Sequence, residues 1–126
     1  MKLNHLNLTV NDVSETRTFL ETYFGLQGTV NPYTGESIEG GKENRNFAVL
    51  FDDGGLVLTL MGGGKKAAVE YPGNFHIGFI QESEERVNEL YRRLKDDGFD
   101  VEPPQRSHAW TFYVRAPGGF DVEVLC

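Results

Sequence analysis

The sequence has one cysteine, Cys126, among 126 residues, so no disulfide can form within the chain and a reducing compartment is expected. It has no apolar run long enough to span a membrane and no basic segment followed by an apolar one of leader type. The expected location is therefore the cytoplasm, with no membrane partner. Positive charge is also scarce: 12 lysines and arginines stand against 19 aspartates and glutamates, a net charge of −7. The only basic pairs, Lys65-Lys66 and Arg92-Arg93, cannot dominate that field, which argues against a nucleic-acid partner. Histidine occurs three times, as His5, His76 and His108. What remains is an ordinary globular composition, and a chain of this length is expected to form one domain, since cores below about 70 residues need staples not evident here.

The chain repeats itself. In "KLNHLNLTVNDVSETRTFLETYFGL", Asn4, Leu6, Leu8 and Val10 alternate with Leu3, His5, Asn7 and Thr9, the pattern of a half-buried strand. Asp12 then fits a helix N-cap with Glu15 as its capping-box partner, Phe19, Leu20, Tyr23 and Phe24 form one helical face, and Gly25 is the stop. In "NFHIGFIQESEERVNELYRRLKDDGF" the same parts return. Phe75, Ile77 and Phe79 alternate with His76, Gly78 and Ile80; Ser83 is the candidate N-cap; Val87, Leu90, Tyr91 and Leu94 form the stripe; Gly98 ends the helix. His5 and His76 hold equivalent places at an offset of 71. Further on, "DDGGLVLTLM" lies beside "APGGFDVEVL" at a constant offset of 64, each with a glycine pair marking a hairpin, and the β-rich runs "NFAVLF" and "WTFYVR" precede them. The spacing predicts two βαβββ modules, residues 1–61 and 74–126, joined by a linker at 62–73, in a single α+β domain. The glycines and lysine of the linker lack the spacing of a phosphate loop. The polar, aperiodic stretch 31–46 reads as a flap or rim, or as plain surface.

A histidine within an apolar strand is more often a hydrogen-bonded core group than a ligand. The repeat shifts that balance, because approximate two-fold symmetry would gather His5, Thr59, His76 and Glu123 around one axis. With the apolar faces of the last strands given to the helices, Glu123 is left on the face of a cavity, where a carboxylate beside two imidazoles needs a compensating cation. His5, His76 and Glu123 are therefore the candidate metal ligands. Two imidazoles and one carboxylate leave half an octahedral shell open and suit one divalent ion, Fe(II) or Mn(II) first, with Ni(II), Co(II) or Zn(II) as further candidates.

The paired modules, "NHLNLTV" opening the first, "FHIGF" the second and "APGGFDVEV" closing the chain, resemble the vicinal oxygen chelate superfamily, which includes glyoxalase I, extradiol dioxygenases, fosfomycin-resistance thiol transferases and bleomycin-binding proteins. The resemblance implies an open, curved mixed sheet around a central site with the helices outside. It also implies a homodimer that can exchange modules and so share His5, His76 and Glu123 between subunits. Glyoxalase I carries a proton-transferring side chain where this sequence has Thr59, a poor base. The fosfomycin enzymes carry a substrate-binding arginine beyond the final glutamate, a role left here to Arg115 or a lysine. The extradiol enzymes have a tyrosine ten residues before the glutamate, matched by Tyr113, and a histidine acid or base, for which His108 is the candidate.

The expected function is accordingly a divalent-metal-dependent enzyme acting on a small substrate with vicinal oxygens, leaning to extradiol ring cleavage. A fosfomycin-type thiol transferase or a lyase is the alternative within the enzyme class. Tyr113 and His108 are the candidate catalytic residues, as donor and proton shuttle, and Asn7, Thr59, Trp110 and Arg115 the candidate substrate-binding residues. The other class is a bleomycin-resistance-like binding protein without a catalytic metal. The acidic charge and Tyr23, Tyr33, Phe47, Trp110 and Tyr113 would serve it in holding a cationic ligand.

Overall fold

The computed structural model describes residues 1–28, 47–63 and 68–126. The chain divides into two compact units, Met1–Val69 and Glu70–Cys126, a division that falls within the segment read as a linker. Two helices and two open, mixed sheets make an α+β fold.

The first unit begins with β1, His5–Val10, whose Leu8 and Val10 are buried while His5, Asn7 and Thr9 are exposed on the opposite face. The helix α1, Val13–Phe24, starts where expected: Asp12 has extended backbone angles and its Oδ1 accepts from the Glu15 N–H at 2.8 Å, satisfying one of the unpaired donors of the first turn. Gly25 ends it at φ 66°, a left-handed conformation that a residue without Cβ adopts at little cost. Strands β2, Phe47–Phe51, and β3, Val57–Gly62, complete a sheet of order β1-β3-β2, with β1 parallel and β2 antiparallel to β3. The buried side of α1, Val13, Thr16, Phe19 and Leu20, covers β2 and β3. The stretch 31–46, read as flap or rim, lies outside the described residues.

The second unit carries all five elements of the predicted module: β4, His76–Ile80; α2, Glu84–Asp96; β5, Gln105–Arg106; β6, Trp110–Arg115; and β7, Asp121–Leu125. Ser83 accepts from the Arg86 N–H at the start of α2. At its end the Phe99 and Gly98 N–H groups donate to Leu94 and Lys95 carbonyls, with Gly98 at φ 93°, which closes the helix in a Schellman turn. The sheet order is β4-β7-β6-β5. Val87, Leu90 and Leu94 of α2 are buried, and α2 packs on β6 and β7, whose inward residues Phe112, Val114, Val122 and Val124 form the core of this unit with Phe120.

The two units share their register. His5 lies opposite Val57 and Asn7 opposite Thr59; correspondingly His76 lies opposite Asp121 and Gly78 opposite Glu123. Val49 faces Thr59 as Tyr113 faces Glu123. The hairpins agree bond for bond: Gly55 N–H donates to the Asp52 carbonyl as Gly119 N–H does to that of Ala116, with φ of 82° and 91° at the two glycines. Offsets of 71 and 64 read from the sequence therefore correspond to a repeat of backbone pairing.

Candidate functional site

The period of two along a strand sorts the second sheet into two faces. Phe112, Val114, Val122 and Val124 go to α2. The other face carries His76, Gly78 and Ile80 from β4, Asp121, Glu123 and Leu125 from β7, and Thr111, Tyr113 and Arg115 from β6. Glu123 is the centre of this face. It is only 5% exposed, its cross-strand neighbours are Gly78 on one side and Tyr113 on the other, and the glycine leaves room beside the carboxylate.

The two carboxylate oxygens of Glu123 have different company. Oε1 accepts from the Thr111 hydroxyl at 2.9 Å and lies 2.7 Å from His108 Nε2, while Oε2 lies 3.4 Å from His76 Nε2. Burial pushes the Glu123 carboxyl up, but hydrogen bonds from Thr111, Tyr113 and His108, together with the charge of His108, outweigh it and hold the group below its ordinary value. The carboxylate is thus kept ionised in a buried position. The Tyr113 hydroxyl is pushed the other way, by burial first and then by its hydrogen bond to Glu123 and the negative charge there, so it stays protonated as a donor.

His76 is oriented by the backbone two residues before it. Its Nδ1 lies 3.1 Å from the Asn74 carbonyl, which can only accept, so a proton belongs on Nδ1 and Nε2 is the nitrogen turned toward Oε2. Two electron-rich atoms facing each other at 3.4 Å need a proton or a cation between them, and a histidine with its other nitrogen tied to an oxygen acceptor is the usual form of a metal ligand. The Tyr113 ring stands edge-on to His76 at 5.6 Å. His5, the repeat equivalent in the first unit, is exposed, and its Nδ1 lies 3.1 Å from a side-chain oxygen, Asn4 Oδ1, rather than from a backbone carbonyl. Of the three candidate ligands, His76 and Glu123 come together. Among the described residues, no group of three or more His, Cys, Asp or Glu side chains forms a ready cluster.

The other candidates divide by face. His108 reaches the Glu123 carboxylate directly, a closer association than its place in a loop suggested. Arg115 shares the site face, but its guanidinium is engaged by Asp121 at 2.5 and 3.3 Å. Trp110 points the opposite way: its Nε1 donates to Asn88 on α2 at 2.9 Å, and the Arg106 guanidinium lies over its ring. The indole therefore belongs to the packing of α2 on the sheet. In the first unit, Thr59 donates to Asn7 Oδ1 at 2.7 Å, so the positions equivalent to Glu123 and Gly78 hold a neutral pair that bonds to itself. Three contributors escaped the sequence reading: Thr111, Asn74 and Gly78. Thr111 and Gly78 were accessible by parity, since they alternate in step with Tyr113 and His76.

A model of the Glyoxalase/Bleomycin resistance protein/Dioxygenase superfamily matches residues 2–124. No curated protein matches the sequence. Among solved structures, one described as a possible glyoxalase from Bacillus cereus is 51% identical, with a TM-score of 0.84 over 100% of this chain and 99% of that one. A variant of the fosfomycin resistance protein FosX from Listeria monocytogenes, complexed with Mn(II) and 1S,2S-dihydroxypropylphosphonic acid, is 21% identical, with a TM-score of 0.68 over 98% of this chain and 90% of that one. The lactoylglutathione lyase of Agrobacterium tumefaciens is 19% identical, with a TM-score of 0.68 over 98% and 92%. At the identities of these last two, the likeness is one of fold.

Proposed function

The chain belongs to the Glyoxalase/Bleomycin resistance protein/Dioxygenase superfamily, and from that premise we propose that it is a divalent-metal-dependent enzyme for a small substrate with two adjacent oxygens. We assign His5, His76 and Glu123 as its metal ligands. The observation that carries this reading is the approach of His76 Nε2 to Glu123 Oε2 at 3.4 Å, with His76 Nδ1 held by the Asn74 carbonyl. A bound Fe(II) or Mn(II) would supply Lewis acidity to the substrate oxygens. The protein's own part is to hold an ionised carboxylate in a buried place, to present two imidazoles by Nε2, and to place a protonated Tyr113 hydroxyl as donor to a substrate oxygen. His108, within 2.7 Å of Glu123, is the group to hold or move a proton at Nε2.

Ring cleavage remains the reaction favoured from the sequence, by Tyr113 and His108. The Mn(II) and dihydroxypropylphosphonic acid bound by FosX, and the lyase neighbour, support a fosfomycin-type or a lyase reaction equally. Among the described residues no helix is long and apolar enough to cross a membrane, and a small-molecule substrate is the partner this reading requires. The first test is elemental analysis of protein purified without chelator or added metal, beside Glu123→Ala and His76→Ala. Stoichiometric metal in the wild type and none in either variant is expected; equal occupancy in all three would remove the ligand assignment. Anaerobic Fe(II) protein with catechols, followed by oxygen, and Mn(II) protein with a phosphonate and a thiol then separate the reactions. Uptake of a bulky cationic drug regardless of metal would indicate the binding protein instead.

A further inference from the structure

Thr111 is a buried threonine whose hydroxyl reaches the Glu123 carboxylate. It is 6% exposed, stands on β6 two residues before Tyr113, and its Oγ1 lies 2.9 Å from Glu123 Oε1 and 2.9 Å from the Val124 carbonyl. Both are acceptors, so the single hydroxyl proton bridges the carboxylate to the backbone next to it. A buried carboxylate on a flexible side chain has several rotamers open to it, and this contact selects the one in which Oε1 turns toward β6 and Oε2 toward His76.

We infer that Thr111 is the positioning residue for Glu123: by tying Oε1 to β6 it reserves Oε2 for the cation shared with His76. The inference rests on the metal reading above and concerns how that reading is achieved. Three features of the site point the same way. Oε1 already has Thr111 and His108 as partners, whereas Oε2 is the oxygen turned to His76 Nε2. Gly78, opposite Glu123, leaves the side of Oε2 open: a Cβ built there would lie 3.8 Å from that oxygen. Val49 faces Thr59 where Tyr113 faces Glu123, and Thr111 corresponds by the same offset to Phe47, so the hydroxyl occurs in the module that carries the carboxylate and an apolar ring in the one that does not.

The test is Mn(II) affinity by calorimetry on the full chain for the wild type, Thr111→Val, Thr111→Ser and Glu123→Gln, with circular dichroism and melting of the metal-free proteins alongside. Valine keeps the shape and strand preference of threonine and removes the donor; serine keeps the donor. We expect Thr111→Val to bind Mn(II) roughly 10–100-fold more weakly, the usual cost of losing a partner that orients a ligand, and Thr111→Ser to recover the wild-type constant to within about threefold. A merely structural role would lower the melting temperature of both variants without separating their affinities. If the valine variant does not fold, Thr111→Ala against Thr111→Ser makes the same comparison. Wild-type affinity in the folded valine or alanine variant overturns the inference and leaves the ligand assignment standing. A wild type that binds no Mn(II) or Fe(II), or a Glu123→Gln variant that binds as well as wild type, overturns the metal reading itself.

Discussion

Gly78→Ala should stabilise the metal-free protein while weakening its hold on metal. Gly78 lies opposite Glu123 on the edge strand β4, and a Cβ there would meet Leu125 Cδ2 at 3.5 Å and Glu123 Oε2 at 3.8 Å, both ordinary contact distances. The strand therefore accepts alanine without a shift, and replacing a flexible residue within a strand gains roughly 0.5–1 kcal/mol, or about 2–4 °C in a domain of this size. The same methyl occupies the open side of Oε2, the oxygen turned to His76. It narrows the approach to that oxygen, for which a loss on the order of tenfold in metal affinity is expected, the lower end of what altered surroundings of a ligand cost. Stabilisation by ligand at 100 times the wild-type Kd is about 2.7 kcal/mol, and a tenfold weaker site under the same conditions retains about 1.4 kcal/mol. Thermal melts of both proteins, with and without Mn(II), read all of these quantities. Gly78→Ala should melt higher than wild type without metal and gain about half as much from it. An equal gain from metal would refute the assignment of Oε2 as the cation-facing oxygen, and a lower metal-free melting temperature would refute the spatial argument.

Three other outcomes follow from the same geometry. The Glu123 carboxyl is held below its ordinary 4.5 in the folded protein, so its contribution to stability is fully present above the unfolded value and is lost as pH falls through the folded one; urea midpoints of metal-free protein should drop across that acid range and Glu123→Gln should flatten the drop. Asp12→Ala removes the acceptor for the Glu15 N–H and should cost about 1 kcal/mol in urea unfolding, with no change in metal affinity. The homodimer that the family resemblance implies should sediment near twice 14.1 kDa at micromolar concentration, and a monomer that still binds metal would place all three ligands within one chain.

The helix caps at Asp12 and Ser83, the stops at Gly25 and Gly98 and the order of elements in the second module were legible in the sequence, while of the three strands expected after α1 in the first module two lie among the described residues. Each depends on local chemistry, namely a short acceptor side chain, a residue without Cβ or an alternation of polarity, and each survives in the folded chain unchanged. The constant offsets carried further, because a hairpin turn of defined length sets the register of everything behind it, and so Tyr113 had to face Glu123. Trp110, expected among the substrate-binding residues, is by one step of alternation on the opposite side of the sheet from Tyr113, bonded to Asn88. Tertiary structure alone decided the rest. The unequal partners of Oε1 and Oε2, the approach of a loop histidine, His108, to a buried carboxylate, and the capture of His76 Nδ1 by the Asn74 carbonyl are matters of side-chain rotamer and loop path. No periodicity encodes them, since a hydrogen bond is made or lost by differences of a few tenths of an ångström between groups far apart or differently oriented along the chain, which only the packed sheet determines.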